Sequence, residues 1–196
     1  MLKKLLLCAI TLMMVITLHA QTSDLPYYQI PAYPAAYGPG TVAARMVDGL
    51  GFRYYWATEG LRPEDLAWSP GDEARSSMAT VKHIHGLSQV IVNATRKQPN
   101  VGGDPAPETF DALRKATLLN IQEASQKLLT ASAADLESFR MIFGSGDKAQ
   151  IYPFWNVING PVADALWHVG QVVTFRRSSG NPLPKGVGVL EGKKFD

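Results

Sequence analysis

The sequence is almost free of cysteine. Cys8 is the single cysteine among 196 residues, and it lies in an apolar run near the N-terminus. One cysteine cannot form an internal disulfide, and a chain processed beyond Cys8 offers no thiolate as a metal ligand or nucleophile. A chain of this length is expected to form one domain stabilised by apolar burial, because 46% of its residues are hydrophobic.

The sequence also lacks a large excess of positive or negative charge. Lys and Arg total 19 against 17 Asp and Glu, and removal of residues 1–20 would delete Lys3 and Lys4 but no acid, which leaves 17 of each sign. A near-neutral chain has no basic field to attract nucleic acid, so we expect no nucleic-acid partner. Phosphate-binding glycine loops, dinucleotide fingerprints and Ser-His-Asp patterns are missing too.

The longest apolar run is too short to span a bilayer. Residues 5–18 are almost entirely apolar, whereas a spanning helix needs about 20 such residues. The run follows Lys3 and Lys4 and ends near Ala20, a small residue suited to the exit position of a cleavage site. We predict a signal peptide over residues 1–20, export to the periplasm or extracellular space, and no membrane association after cleavage. An uncleaved anchor is the alternative.

Apolar spacing predicts four helices beyond this segment, at residues 41–62, 75–96, 108–130 and 159–178. The expected core stripe of the first helix consists of Val42, Met46, Leu50, Tyr54 and Ala57. That of the third consists of Phe110, Leu113, Thr117, Ile121, Ala124 and Leu128. Four helices of similar length joined by loops predict an all-α four-helix bundle. Two apolar stretches flanking residues 144–147 predict a short hairpin between the third and fourth helices.

Proline and glycine mark the ends of the domain. Residues 21–40 are rich in Pro, Gly and Tyr, which predicts an extended segment lying on the domain, its tyrosines either pinning it there or serving recognition. The bundle is expected over residues 41–180, and residues 181–196 form a tail after Gly180 and Pro182.

Only three histidines remain after residue 20. The predicted core stripe of the second helix consists of Thr80, His83, Ile84, Leu87, Val90 and Ala94. His85 lies about 200° from His83 around that helix, so His83 is expected to face the core and His85 the solvent.

Asp164 and His168 are four residues apart on the fourth helix and therefore share one face. Near the core, a carboxylate needs a partner or a cation. Two such ligands at this spacing can bind one metal ion if a third ligand, such as His83, comes from another helix. Two other interpretations stay open: Asp164 and His168 pair with each other, or His83 is an ordinary core histidine.

Two segments carry a resemblance to a known family. TVKHIHGL on the second helix and DALWHVGQVVTFRR on the fourth resemble the DinB-like (YfiT-like) superfamily of metal-dependent enzymes. The resemblance extends to the order of elements over about residues 41–180. It implies a four-helix bundle whose metal ligands are a histidine on the second helix and an H-x-x-x-H pair on the fourth.

The resemblance assigns His83 and His168 as metal ligands. Val169-Gly170-Gln171 follows His168 where the family has Arg-Gly-Gln, and Asp164 stands where the family has the first histidine of its pair. An aspartate can replace imidazole as an oxygen ligand, although this departure could also weaken or abolish the site. We therefore expect one divalent transition metal, Zn, Ni, Mn or Fe, on His83, Asp164 and His168, with Gln171 able to orient a ligand.

The family implies metal-dependent hydrolysis or transfer, and some relatives use low-molecular-weight thiols as co-substrates. Export favours hydrolysis here, because such thiols are mainly cytosolic. A protein that binds a metal or small ligand without turnover, or that keeps only the fold, is the alternative. The sequence leaves the catalytic residues, the small-molecule substrate or ligand and the formation of a homodimer undetermined.

Overall fold

The computed structural model describes residues 25–102 and 106–196, so the predicted signal peptide lies outside the described residues. Four long helices dominate: α1 (Pro39–Thr58), α3 (Ser77–Arg96), α4 (Phe110–Leu129) and α7 (Ala163–Ser178). Three short helices are α2 (Pro63–Ala67), α5 (Ala133–Ser138) and α6 (Trp155–Val157). Among the described residues, no helix combines the length and the apolar character needed to cross a membrane.

Three of the four long helices begin at start signals in the sequence. Pro39 occupies the first turn of α1, where its missing N–H costs no hydrogen bond. The Ser76 hydroxyl accepts a hydrogen bond from the backbone N–H of Ala79 at the start of α3. At the start of α4, the Thr109 hydroxyl accepts one from the backbone N–H of Ala112. Local sequence thus explains where each of these helices starts.

The long helices pack around one core. α1 contacts α4 and α7, and α3 contacts the same two helices. Each helix therefore buries side chains against two neighbours. The predicted stripe of α4 is confirmed from Leu113 to Leu128, with Phe110 half-buried at its start.

The stripe predicted for the first half of α1 is wrong. Val42 and Met46 are exposed, whereas Ala43, Ala44 and Val47 are buried. α1 approaches the end of α4 so closely that a Cβ on Gly40 would overlap backbone carbonyls there. Close approach favours small side chains, and the spacing of large apolar residues does not reveal a contact made by glycine and alanine.

A small sheet packs against α3 through β1 and β2. β2 (Arg140–Phe143) and β3 (Gln150–Pro153) form the predicted antiparallel hairpin, with Met141 opposite Tyr152. β1 (Pro99–Asn100) pairs with β2 in parallel. A second, unpredicted pair, β4 (Val187–Gly188) and β5 (Lys193–Lys194), lies in the C-terminal tail.

The N-terminal segment is fixed to the domain by its tyrosines. The buried Tyr27 donates its hydroxyl to Asp48 at 3.0 Å, and its ring lies 2.6 Å from where a Cβ on Gly51 would stand. Trp56 donates its indole N–H to the Tyr28 carbonyl at 3.2 Å. Burial raises the pKa of Asp48. Gly51 therefore provides the space that seats the segment on α1.

A backbone break sets the start of α7. A π-helical turn over Ile158–Val162 contains Pro161, and Gly160 departs from helical geometry at φ −96° and ψ −107°. Proline removes a helix hydrogen bond and clashes with the preceding turn, which accounts for the break. Asp164 consequently lies in the first turn of α7.

Arg176 joins the end of α7 to the end of α1. It is 2% exposed, and its Nη1 lies within 3.1 Å of the carbonyl oxygens of Trp56, Ala57 and Glu59. Its Nε donates to the Asn181 carbonyl at 2.7 Å. The last carbonyl groups of a helix lack hydrogen-bond donors within that helix, and the Arg176 side chain donates to them here.

Asp65 extends this network from α2. Its carboxylate accepts from Arg62 at 2.8 and 2.9 Å, and from Ser179 and Asn181 at 2.6 Å each. The hydrogen bonds from the Arg62 guanidinium are the largest cause that holds the pKa of Asp65 far below its usual range. The loop after α1 and the end of α7 are therefore held to each other by buried polar contacts.

We predict that Arg176→Met lowers the free energy of unfolding by about 3 kcal/mol, because several buried carbonyls lose their donor. Urea unfolding followed by circular dichroism measures the change. Arg177→Met is the matched control, since that neighbouring side chain is exposed, and it should change stability by less than about 0.5 kcal/mol. Equal effects of the two substitutions would contradict the assigned role of Arg176.

Candidate metal centre

Three side chains from two helices converge where α3 packs against α7. Nε2 of His83 on α3 lies 3.3 Å from Oδ2 of Asp164, and Nε2 of His168 lies 3.3 Å from Oδ1 of the same carboxylate. The two imidazole rings are 4.6 Å apart between centroids and nearly perpendicular, at 87°. One ligand atom from each residue lies within 4.8 Å of the other two. The structure therefore brings together all three residues predicted as metal ligands.

The spacing of these contacts is compatible with a shared cation as well as with direct contacts. Charge-assisted N–H···O bonds are about 2.7–2.9 Å long, shorter than either contact of Asp164. Two ligand atoms about 2.0–2.1 Å from a tetrahedral ion stand roughly 3.3 Å apart. Both 3.3 Å separations match that value. Two imidazole nitrogens and a carboxylate oxygen are also donors that divalent transition metals accept.

Gln171 fixes the orientation of His168. The Nδ1 of His168 lies 2.7 Å from the Oε1 of Gln171, one turn further along α7. An amide oxygen only accepts, so Nδ1 carries the hydrogen and donates. The neutral ring then has its lone pair on Nε2, the atom that faces Asp164. Gln171 thus has the orienting geometry that the sequence analysis considered for it.

The centre is open to solvent. The side chains of His83 and Asp164 are 34% and 42% exposed, and that of His168 is 14% exposed. A cavity of about 620 Å³ reaches Asp164. It is lined by Leu87, Val90, Met141, Phe143, Asn159, Gly160, Pro161, Ala163, Asp164 and Trp167. Asp164 is the only charged residue among them, so the wall beside the centre is mainly apolar.

The predicted orientations of His83 and His85 are wrong. His83 is half-buried at the edge of α3, whereas His85 is buried at 4% exposure. The Nδ1 of His85 lies 3.0 Å from the Thr117 hydroxyl, which itself donates to the Leu113 carbonyl, so the histidine ring donates. Burial lowers the pKa of His85.

The packing of α3 explains this error. α3 contacts both α4 and α7, so it is buried over a wider arc than a single stripe. His85 occupies the side that meets Thr117 of α4, and His83 occupies the side that meets Asp164 of α7. His83 can approach Asp164 and still reach solvent because it lies at the border of the packed surface.

The residues lining the cavity were not predicted as a functional group. Leu87 and Val90 follow His83 by four and seven residues, the helical spacing that places them on its side of α3. Met141 and Phe143 alternate along β2, as residues on one face of a strand do. The aromatic residues Tyr54, Tyr55 and Trp56 of α1 belong to the core.

No protein-family model and no curated protein matches the chain. A solved structure does resemble it, the crystal structure of a DinB-like protein, YjoA, from Bacillus subtilis. The TM-score is 0.51 at 14% identity, and the match covers 71% of this chain and 95% of that chain. This likeness supports the family resemblance at the level of fold: the chain has a mainly helical, DinB-like fold with small added sheets.

The contact with Gln171 predicts the tautomer of His168. In metal-free protein, the neutral form of His168 should carry its hydrogen on Nδ1, where the Gln171 oxygen accepts it. Gln171→Met should remove this preference, while Gln89→Met on α3 should not. Nitrogen-15 chemical shifts of the ring distinguish the two tautomers. Hydrogen on Nε2 in the parent protein would contradict the geometry described for the centre.

Proposed function

We propose that this chain is an exported metal-dependent hydrolase built on a DinB-like four-helix bundle, with one divalent transition metal held by His83, Asp164 and His168. The observation that carries the proposal is the convergence of two imidazole nitrogens on one carboxylate, at ligand spacing and beside an open cavity. Zn, Ni, Mn and Fe are the metals suited to this donor set.

The number of ligands favours a catalytic centre over a structural one. Structural zinc sites are closed by four protein ligands, whereas catalytic sites commonly have three and keep a position open. Three ligand residues are brought together here, and all three are partly exposed. Room for a substrate beside the ligands is what hydrolysis or group transfer needs.

Each protein group has a defined task in this proposal. A bound divalent ion would polarise a substrate carbonyl or phosphoryl oxygen and lower the pKa of a water molecule. Gln171 holds His168 with its Nε2 lone pair toward the centre, and Asp164 supplies negative charge. Trp167 and Phe143 offer apolar surface to the substrate.

Hydrolysis is favoured over thiol transfer by the proposed location. An N-terminal signal peptide over residues 1–20 would carry the chain to the periplasm or cell exterior, away from the main cytosolic thiols. The intact mass of protein recovered from the exported fraction tests this step. A mass that still includes residues 1–20 would contradict cleavage.

A second candidate, a metal- or ligand-binding protein without turnover, is favoured by one observation. Among the described residues, the cavity that reaches Asp164 is lined by no other titratable side chain that could act as a general acid or base. If Asp164 is occupied as a ligand, proton transfer must use water alone. Metal binding without hydrolysis of any ester, amide or phosphoester would favour this candidate.

We predict about one divalent ion per chain in protein purified without a histidine tag or chelators, as measured by plasma mass spectrometry. His83→Ala and His168→Ala should each lower metal affinity more than about 100-fold, because each removes a ligand. Asp164→Asn should weaken binding by removing the charge. Asp164→His, which installs the histidine of the resembled family, should keep the ion.

Lys82→Ala is the matched control, since Lys82 adjoins His83 on α3 but its side chain is exposed. It should leave the metal content unchanged. A parent protein that fails to take up Zn, Ni, Mn or Fe would overturn the metalloenzyme proposal. Equal metal content in the parent and both histidine variants would place the ion elsewhere.

A further inference from the structure

A second cavity lies between α1 and α7, away from the candidate metal centre. Its volume is about 760 Å³, within the range of small-molecule sites. Trp56, Leu166, Val169 and Val173 give it apolar walls, and Val187 of β4 closes one side. The cavity is therefore built from the two long helices and the C-terminal strands together.

The charges around this cavity all have one sign. Arg45, Arg53 and Arg177 line it, and no Asp or Glu of the part of the chain that the structure describes does so. Among residues 25–102 and 106–196, none of the three arginines has a carboxylate oxygen within 4.0 Å of its side-chain nitrogens. Arg45 still acts on Asp48 through its charge, whereas no carboxylate faces Arg53 or Arg177 at ion-pair distance in the described chain. Two such arginines beside an apolar hollow favour an anion.

Arg53 and Arg177 have the most donors to offer. Arg53 donates from Nη1 to the Gly49 carbonyl of its own helix at 3.1 Å, which leaves four of its five N–H groups, and Arg177 is exposed at the cavity edge. Arg45 is more engaged, since it donates to the Pro31 carbonyl at 2.8 Å and lies over the Tyr33 ring. The guanidinium fork matches the paired oxygens of a carboxylate or phosphate.

The second cavity is independent of the metal centre. Leu166, Val169, Val173 and Arg177 follow one another at spacings of three and four, so they form one stripe of α7. At about 100° per residue, this stripe lies roughly opposite the face that carries Asp164 and His168. A ligand in the cavity would therefore contact the back of the helix that presents two of the three metal ligands.

We propose that this cavity binds an anionic amphiphile, a small molecule with an oxyanion head and an apolar body. The head, a carboxylate or a phosphate monoester, contacts Arg53 and Arg177. The body lies against Trp56, Leu166 and Val173. The arginines of the described lining disfavour a cationic ligand, and the apolar walls favour a chain or ring over a free inorganic ion.

Isothermal titration calorimetry on the whole protein tests the proposal with four ligands of equal chain length, all below their micelle concentrations. Decanoate or decyl phosphate should bind at least about tenfold more tightly than decanol and decyltrimethylammonium, because each charge-assisted contact contributes about a factor of ten. The stronger of the two anions identifies the head group. Acetate and inorganic phosphate, which lack the body, should bind more weakly than either.

The variant Arg53→Gln/Arg177→Gln should weaken binding of the anion by about tenfold or more. Arg75→Gln is the control for the loss of one charge, because Arg75 is exposed and does not line the cavity. Unchanged circular dichroism and metal content in all variants would show that the fold and the metal centre are intact. A failure to bind the anion is therefore distinguishable from a failure of the proposed metal-dependent hydrolase.

Three results would overturn the proposal. Equal binding of decanoate and decyltrimethylammonium would show apolar association only. Binding to phosphatidylglycerol vesicles without binding of either monomeric anion would indicate a membrane contact. A dimer that forms with rising protein concentration, dissociates in the double variant and binds neither anion would assign the surface to a second copy of the chain.

Discussion

The buried guanidinium of Arg176 sets the position of α7, on which both candidate sites depend. A cation removed from water must be fully hydrogen-bonded, and the carbonyls at the end of α1 together with Asn181 meet that need. Sliding α7 by one residue would break several of these bonds at once. The helix is thus registered against α1 at its C-terminal end, while the break at Pro161 fixes where its regular turns begin.

This register gives the two faces of α7 different chemistry. One face brings Asp164 and His168 against His83 of α3, beside an apolar cavity. The opposite face brings Leu166 and Val173 against α1, beside a cavity that contains only positive charge. The proposed metal and anion sites therefore lie on opposite faces of one helix and share no residue.

The sequence predicts most of what depends on regular spacing. It identifies the four long helices, the hairpin before α7, the stripe of α4, and the trio His83, Asp164 and His168. Prediction of buried residues fails where a helix packs against two neighbours, and where the buried residues are small or polar. α3 packs against two helices, so apolar spacing could not decide between His83 and His85. The face of α1 that meets α4 is formed by glycine and alanine, and a buried arginine such as Arg176 has the sequence pattern of an exposed one.

The central claim is that one divalent ion is held where α3 meets α7. Crystals of the protein grown with zinc, measured on both sides of the zinc absorption edge, test it most directly. We expect one anomalous peak per chain, about 2.0–2.2 Å from Nε2 of His83, a carboxylate oxygen of Asp164 and Nε2 of His168. Zinc bound only at other positions, with these three side chains still in mutual contact and no peak between them, would contradict the proposed metal site.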